Sequence, residues 1–206
     1  MQVLVADAHH PVPSTDLESM HRLRYEVFRE RLDWDIPTWQ KTERDHYDHA
    51  NPVFVLTRGD AGDIVGCCRL LPTTGPYMLK DTFPQLLGDS AAPVTSDIWE
   101  ISRFAVRKHA RAGMAFTRIP AAMIRAAARF AVAHDIREYV FVTTVGFERL
   151  LVRMGIHLER IAPPLQVGIE KSVALRVFID EQTRRATHAD SDNDPFIGDD
   201  AYPEAA

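Results

Sequence analysis

Three arginines stand where their neighbours are apolar, and four acids are placed to pair with them. Arg24 is flanked at helical spacing by Met20, Val27 and Phe28. Arg69 closes the run VGCCR and shares a strand face with Val65 and Cys67. Arg103 lies in SDIWEISRFAV, residues 96–106, together with Glu100, and Glu43, Asp45 and Asp48 crowd the segment ERDHYD. Taken singly, each charge reads as solvated, since most charged residues are exposed and an arginine can run its stem along a core edge with its head in water. Taken together they read differently. A buried charge is costly unless paired, and opposite charges pairing around one cleft shift each other's pKa values as functional sites do.

Glu100 and Arg103 add a geometric clue. Three residues apart on a regular strand, they face opposite ways. A β-bulge between them would turn both to one side, splay the strand from its neighbour and leave a gap for an extended ligand.

The elements that must position these residues follow from composition and pattern. The chain has 206 residues, 46% of them hydrophobic, enough for one cored domain with a tail. Its net charge of −5 gives no general affinity for nucleic acid, and no apolar run approaches the roughly 20 residues that span a bilayer. The N-terminus lacks the basic and apolar regions of a signal peptide. Cys67 and Cys68 are adjacent and point to opposite strand faces, so neither a disulfide nor a metal site is expected. The expectation is a reduced, cytoplasmic protein with no cofactor and no metal.

Residues 2–6 read as a strand. A helix follows, with Thr15 and Glu18 as a capping box and Met20, Leu23, Val27 and Phe28 as its stripe. Residues 32–51 have no period and are long for a plain connector. NPVFVLT and DIVGCCRLL read as a hairpin. An irregular stretch with one helical turn leads into the strand of residues 96–106 and then a basic loop, RKHARAG. A long helix spans about 116–134, with Pro120 in its first turn. REYVFVTTV reads as a strand, GFERLLVRMG as a short helix closed by Gly155, and IHLERI and ALRVFID as strands. From residue 183 the chain reads as an acidic, mobile tail, so the domain is expected over 1–182. The fold class is α/β: a three-layer sandwich on a mixed, mostly antiparallel sheet.

LRYEVFRERLDW (23–34), ERDHYD (43–48), CRLL (68–71) and WEISRFAV (99–106) together resemble the acyl-homoserine-lactone synthases, the autoinducer synthases of bacterial quorum sensing. The similarity covers about residues 1–180 in order. It implies a fold related to the N-acetyltransferases. It also implies transfer of an acyl group from an acyl-carrier-protein thioester to the amine of S-adenosylmethionine, a substrate rather than a cofactor, followed by lactonisation with release of methylthioadenosine. Carried over by position, the functional residues are Arg24, Phe28, Trp34, Asp45, Asp48, Arg69, Glu100 and Arg103.

The substrate's chemistry asks for such a set. Aromatic faces suit the sulfonium or adenine, which assigns Trp34 and Phe28. Asp45 suits the cationic groups, and Glu100 is the candidate base, directly or through a water. Arg103 and the strand amides beside Ser102 and Phe104 would stabilise the oxyanion. Arg24 and Arg69 would tie Asp45, Asp48 and Glu100 into one network, a purely structural pairing being the alternative for Arg24 and Asp48. The acyl pocket is expected between the long helix and YVFVTTV, with Phe141 and Thr144 lining it. In several members of the family, a threonine at the place Phe141 occupies accompanies a preference for 3-oxo chains, so the resemblance implies an acyl group without a 3-oxo function here.

Two features qualify the resemblance. ARAGMA, residues 110–115, nearly matches the pyrophosphate loop of coenzyme A-dependent acetyltransferases but leads with Ala110. That favours a carrier-protein donor without excluding coenzyme A. Lys108, Arg111, Arg118, Arg149 and Arg153 would steer an acidic carrier protein if they form one face. A coenzyme A-dependent N-acyltransferase on another amine is the alternative enzyme, and a catalytically silent binding domain is the alternative outside enzymes.

Overall fold

The structure, a computed structural model, describes residues 1–108 and 115–189. It divides into two compact units. Among the described residues the first holds 1–69, 103–108 and 115–126, and the second holds 70–102 and 127–189.

In the first unit, β1 (Gln2–Ala6) pairs antiparallel with β4 (Val53–Arg58), Leu4 opposite Leu56. The strand order continues through β5 (Ile64–Pro72) to β6 (Ile98–Val106), both of which run through the two units. Alternation assigns the sheet's faces. Helix α1 (Ser14–Arg24) and the π-helical turn Tyr25–Arg31 bring Met20, Leu23, Val27 and Phe28 onto Leu4, Leu56, Ile64, Cys67 and Ala105. Each such buried side chain contributes about 1.5–3 kcal/mol. On the opposite face Gly66 admits α3 (Ala115–Ala133). A Cβ there would lie 2.8 Å from the Ile119 Cγ2 and 2.7 Å from the Met123 Sδ. Helix–sheet–helix layering is thus built within this unit.

In the second unit, β6 runs parallel to β7 (Glu138–Thr144), with Ile98–Ile101 in register with Glu138–Phe141, and β7 continues to Thr144. β10 (Glu170–Phe178) pairs antiparallel with β7, with β8 (Leu158–Arg160) and with β9 (Leu165–Val167). The sheet is mixed and mostly antiparallel, as expected. α4 (Val145–Arg153) starts at Thr144, whose Oγ1 accepts the Phe147 N–H at 3.2 Å, and Gly155 after its end takes φ 84°.

Several local expectations are corrected. α1 begins at Ser14 with Pro13 before it and no side-chain cap, so Thr15 and Glu18 do not form a capping box. Pro120 lies inside α3, past its first turn. The aperiodic stretch contains the small hairpin β2 (Thr38–Trp39) and β3 (Thr42–Glu43) and a 3-10 turn, His46–His49. The irregular stretch holds α2 (Met78–Asp81) and a second 3-10 turn, Pro84–Leu87. A helix, α5 (Glu181–Thr187), crosses the expected boundary at 182. The acidic tail from residue 190 and the ARAGMA loop over 109–114 lie outside the described residues.

Candidate active site

Of the charged residues that read ambiguously in the sequence, Arg24, Arg69, Arg103, Glu43 and Glu100 are buried, and the side chains of Asp45 and Asp48 keep 6% and 9% of their surface. In the first unit Arg24 and Arg69 have no exposed surface and Arg103 keeps 7%. They meet three carboxylates. Arg24 donates through Nε to Glu43 and through Nη1 to Asp48 Oδ1 at 2.7 Å. Arg69 forks onto both oxygens of Asp45 and also reaches Asp48 Oδ1 at 2.7 Å. Arg103 donates through Nε and Nη2 to Glu43 Oε1, at 3.2 and 3.0 Å, and its Nη2 lies 3.0 Å from Asp45 Oδ2. Three guanidinium groups and three carboxylates cancel, so burial leaves the cluster without net charge.

Local folding places each member. Arg24 is the last residue of α1, one turn beyond Met20 on the inward face. Arg69 follows Cys67 by two residues on β5 and so points to the same side, towards α1. Asp45 and Asp48 cap their own 3-10 turn reciprocally. Asp45 accepts from the Tyr47 N–H at 3.0 Å, and Asp48 accepts from the Asp45 N–H at 3.0 Å. The box that the sequence placed on α1 forms here instead. Arg103 adopts φ 51°, a left-handed residue within a strand, and so breaks the alternation of β6 as a bulge does. Such a conformation costs on the order of 1–3 kcal/mol and persists where surroundings fix it; Glu43 and Asp45 do so here.

The electrostatics follow the geometry. Burial raises the Asp45 carboxyl, but the hydrogen bonds and charge of Arg69, with Arg103 and Arg24, hold it below the ordinary carboxylate value. Asp48 is likewise raised by burial and held lower still by Arg24 and Arg69. Both acids are ionised at neutral pH. Burial and the neighbouring Arg24 push His21 down to about 4.

An aromatic pair adjoins the cluster. The Phe28 and Trp34 rings lie 5.1 Å apart at 31°, and the Arg103 guanidinium sits 5.2 Å above the Phe28 ring. The π-helical turn sets this contact: the Leu32 N–H reaches back to the Val27 oxygen, and the Trp34 N–H bonds the Phe28 oxygen at 2.9 Å. Phe104 is half-buried beside Arg103.

The second unit carries the other expected residues. Glu100, 1% exposed, accepts the Met78 and Leu79 N–H groups at 2.9 and 2.6 Å. Those are the first amides of α2, so the carboxylate caps that helix from β6. Ser102 is buried. Phe141 is buried edge-on to Phe147, their rings 5.7 Å apart at 82°, and Thr144 caps α4. Arg149 and Arg153 lie on α4 of this unit, Lys108 and Arg118 belong to the first, and Arg111 lies outside the described residues.

Within the first unit, Arg24, Phe28, Trp34, Asp45, Asp48, Arg69 and Arg103 are therefore brought together. Sequence reasoning noted Glu43 as one of several acids but gave it no role, although it bridges Arg24 and Arg103. A loop without periodicity gives no sign of which acid faces inward. Among the described residues no group of three or more His, Cys, Asp or Glu is placed to hold a metal ion, and no helix is long and apolar enough to cross a membrane.

A family model described as autoinducer synthase matches residues 9–187. An acyl-homoserine-lactone synthase of Pseudomonas aeruginosa is 41% identical over 174 residues, 84% of this chain and 87% of that one. The crystal structure of the AHL synthase LasI matches with a TM-score of 0.84 at 40% identity, over 90% of this chain and 93% of that one. TofI, in a ternary complex with an inhibitor and MTA, matches at 0.80 and 37%, over 91% and 97%. At 14% identity and a TM-score of 0.54, over 85% of this chain and 97% of that one, the structure of an acyl-CoA N-acyltransferase from Pseudomonas aeruginosa shares the fold.

Proposed function

This chain belongs to the autoinducer synthase family, and from that premise we propose how its residues divide the work. The reaction joins an acyl group to S-adenosylmethionine. The substrate's amine loses a proton and attacks the thioester carbonyl, and the thiol departs. The carboxylate oxygen then attacks the carbon beside sulfur, the carbon–sulfur bond breaks, and N-acyl-homoserine lactone and methylthioadenosine separate. The second step needs chiefly a curled substrate pose that brings oxygen to carbon.

The observation that carries the assignment is the buried, charge-neutral cluster of Arg24, Glu43, Asp45, Asp48, Arg69 and Arg103 beside the Phe28–Trp34 ring pair. The rings supply π faces for a sulfonium or an adenine. Asp45 faces the substrate's cationic groups, while Arg24, Asp48, Arg69 and Glu43 hold it in place. Arg103 and the amides flanking Ser102 and Phe104 stabilise the oxyanion. Glu100 accepts the amine proton through a water, its oxygens being already engaged by two amides. Phe141 and Thr144 shape the acyl site. The donor is an acyl-carrier-protein or coenzyme A thioester, and the enzyme works in the cytoplasm, where both substrates are made.

Incubating the purified chain with S-adenosylmethionine and a panel of acyl thioesters, and weighing the products by mass spectrometry, tests this reading. Lactone and methylthioadenosine in equal amounts are expected. An acylated amine without methylthioadenosine would point instead to a coenzyme A-dependent N-acyltransferase.

A further inference from the structure

We propose that His21 is a positioning residue of the synthase reaction: its Nδ1–H, donated to the Glu43 main-chain oxygen at 2.7 Å, fixes β3 where the carboxylates of Glu43, Asp45 and Asp48 meet the buried arginines. This rests on the reading above and adds to it a residue that touches no substrate.

His21 is 2% exposed and lies on the inward face of α1 between Met20 and Arg24. A leucine would fill such a place without a polar group to satisfy. A carbonyl oxygen only accepts, so the partner assigns the proton to Nδ1 and the ring acts as a neutral donor. Burial and the nearby Arg24 keep the ring neutral down to about pH 4, so this donor persists at working pH.

The segment it grips has little else to fix it by backbone pairing. β3 is two residues long and pairs with a two-residue β2, Thr38 opposite Glu43 and Trp39 opposite Thr42. A hairpin that short is marginal on its own. Its tip, Gln40 and Lys41, takes φ 46° and 59° and is exposed, and Trp39 is 74% exposed. Glu43 ends this hairpin, and Asp45 and Asp48 follow within five residues. α1, by contrast, is held by Met20 and Leu23, both fully buried. His21 therefore ties the main chain of a strand with little backbone pairing of its own to a firmly packed helix, whose Arg24 already holds the Glu43 side chain. Displacement of a functional group by about 1 Å can cost a hundredfold in rate, and these carboxylates lie on the tethered residue itself and two and five residues beyond it.

Three variants separate positioning from mere core filling. His21→Asn carries its amide nitrogen at the same bond distance from Cα as Nδ1 and can still donate. His21→Gln moves that donor one bond outward, and His21→Leu removes it. For His21→Leu and His21→Gln, the KM for S-adenosylmethionine is expected to rise about tenfold, roughly the worth of one buried hydrogen bond, with the KM for the acyl thioester unchanged. His21→Asn should stay within about threefold of the parent. Urea midpoints taken on the same samples report folding. If His21→Leu does not fold, His21→Gln carries the comparison. A His21→Gln enzyme with the parent's KM for S-adenosylmethionine overturns the assignment, as does equal impairment by Asn and Gln. A parent that neither turns over nor binds S-adenosylmethionine overturns the synthase reading and this inference with it. A parent that turns over while its variants match it overturns this inference alone.

Discussion

Glu43 and Arg103, sixty residues apart in the chain, share one buried fork: both Nε and Nη2 of the arginine donate to Oε1 of the glutamate, whose other oxygen serves Arg24. Glu43 has no exposed surface. Removing its charge leaves three guanidinium groups sharing two carboxylates, with one positive charge uncompensated in a buried place. Glu43→Gln is expected to destabilise the fold by about 3–5 kcal/mol, the cost of breaking a buried ion pair from one side. Urea denaturation at neutral pH measures it, and a loss below about 1 kcal/mol would mean that water reaches the cluster.

Acid should act in two stages. His21 has its pKa lowered in the folded state from 6.5 to about 4, so between those values the unfolded chain binds the extra proton. Stability then falls as pH drops from about 6.5 to 4, by about 3 kcal/mol at 1.36 kcal/mol per unit. Arg24 and Asp48 face the ring with opposite charge, and Arg44 adds to the first. Asp45 and Asp48 are depressed in the folded state, so their contribution is present above the ordinary aspartate value of 3.8 and is lost below it. Urea midpoints between pH 7 and pH 3 should show both stages in the parent and only the second in His21→Asn. A parent profile flat down to pH 4 contradicts the His21 stage.

Glu100→Gln keeps a carbonyl oxygen to accept from one of the α2 amides and loses the basic oxygen. Turnover should drop by about 10²–10⁴, the usual worth of a general base. S-adenosylmethionine binding by calorimetry should change little. Undiminished turnover would show that Glu100 serves only to cap α2.

Gly66 is where α3 approaches β5. With Ile119 Cγ2 and Met123 Sδ both nearer than 3 Å to a Cβ at that place, Gly66→Ala must displace both. The methionine can swing away, but the branched isoleucine cannot do so cheaply. A loss of about 1–3 kcal/mol is expected in a thermal melt. An unchanged melting temperature would mean that α3 shifts freely.

What the sequence disclosed, and what it concealed, follows from periodicity. β4, β5, β6 and β7 were legible because Val, Ile and Phe recur within runs bounded by turn residues. The inward turn of Arg24 was visible from Met20, Val27 and Phe28, yet its burial was not, because a stem along a core edge gives the same spacing. The hairpin that carries Glu43 is two residues a side, too short for any pattern. The π-helical turn was hidden because its register departs from 3.6 residues only over Tyr25–Arg31. Asp45 and Asp48 close a capping box with two aspartates, whereas the sequence signature of that box is Ser or Thr followed three residues later by Glu or Gln. The bulge at Arg103 was foreshadowed by two charges three residues apart, and its left-handed backbone was not.

The exact cancellation of charge among those six side chains has a bearing on how the protein can change over time. Swapping any one of them strands an opposite charge in the interior, so a lineage must alter distant codons as a matched set or keep them all. Phe141 and Thr144, proposed above to shape the acyl site, carry no charge; they are free of that bond and can drift one substitution at a time.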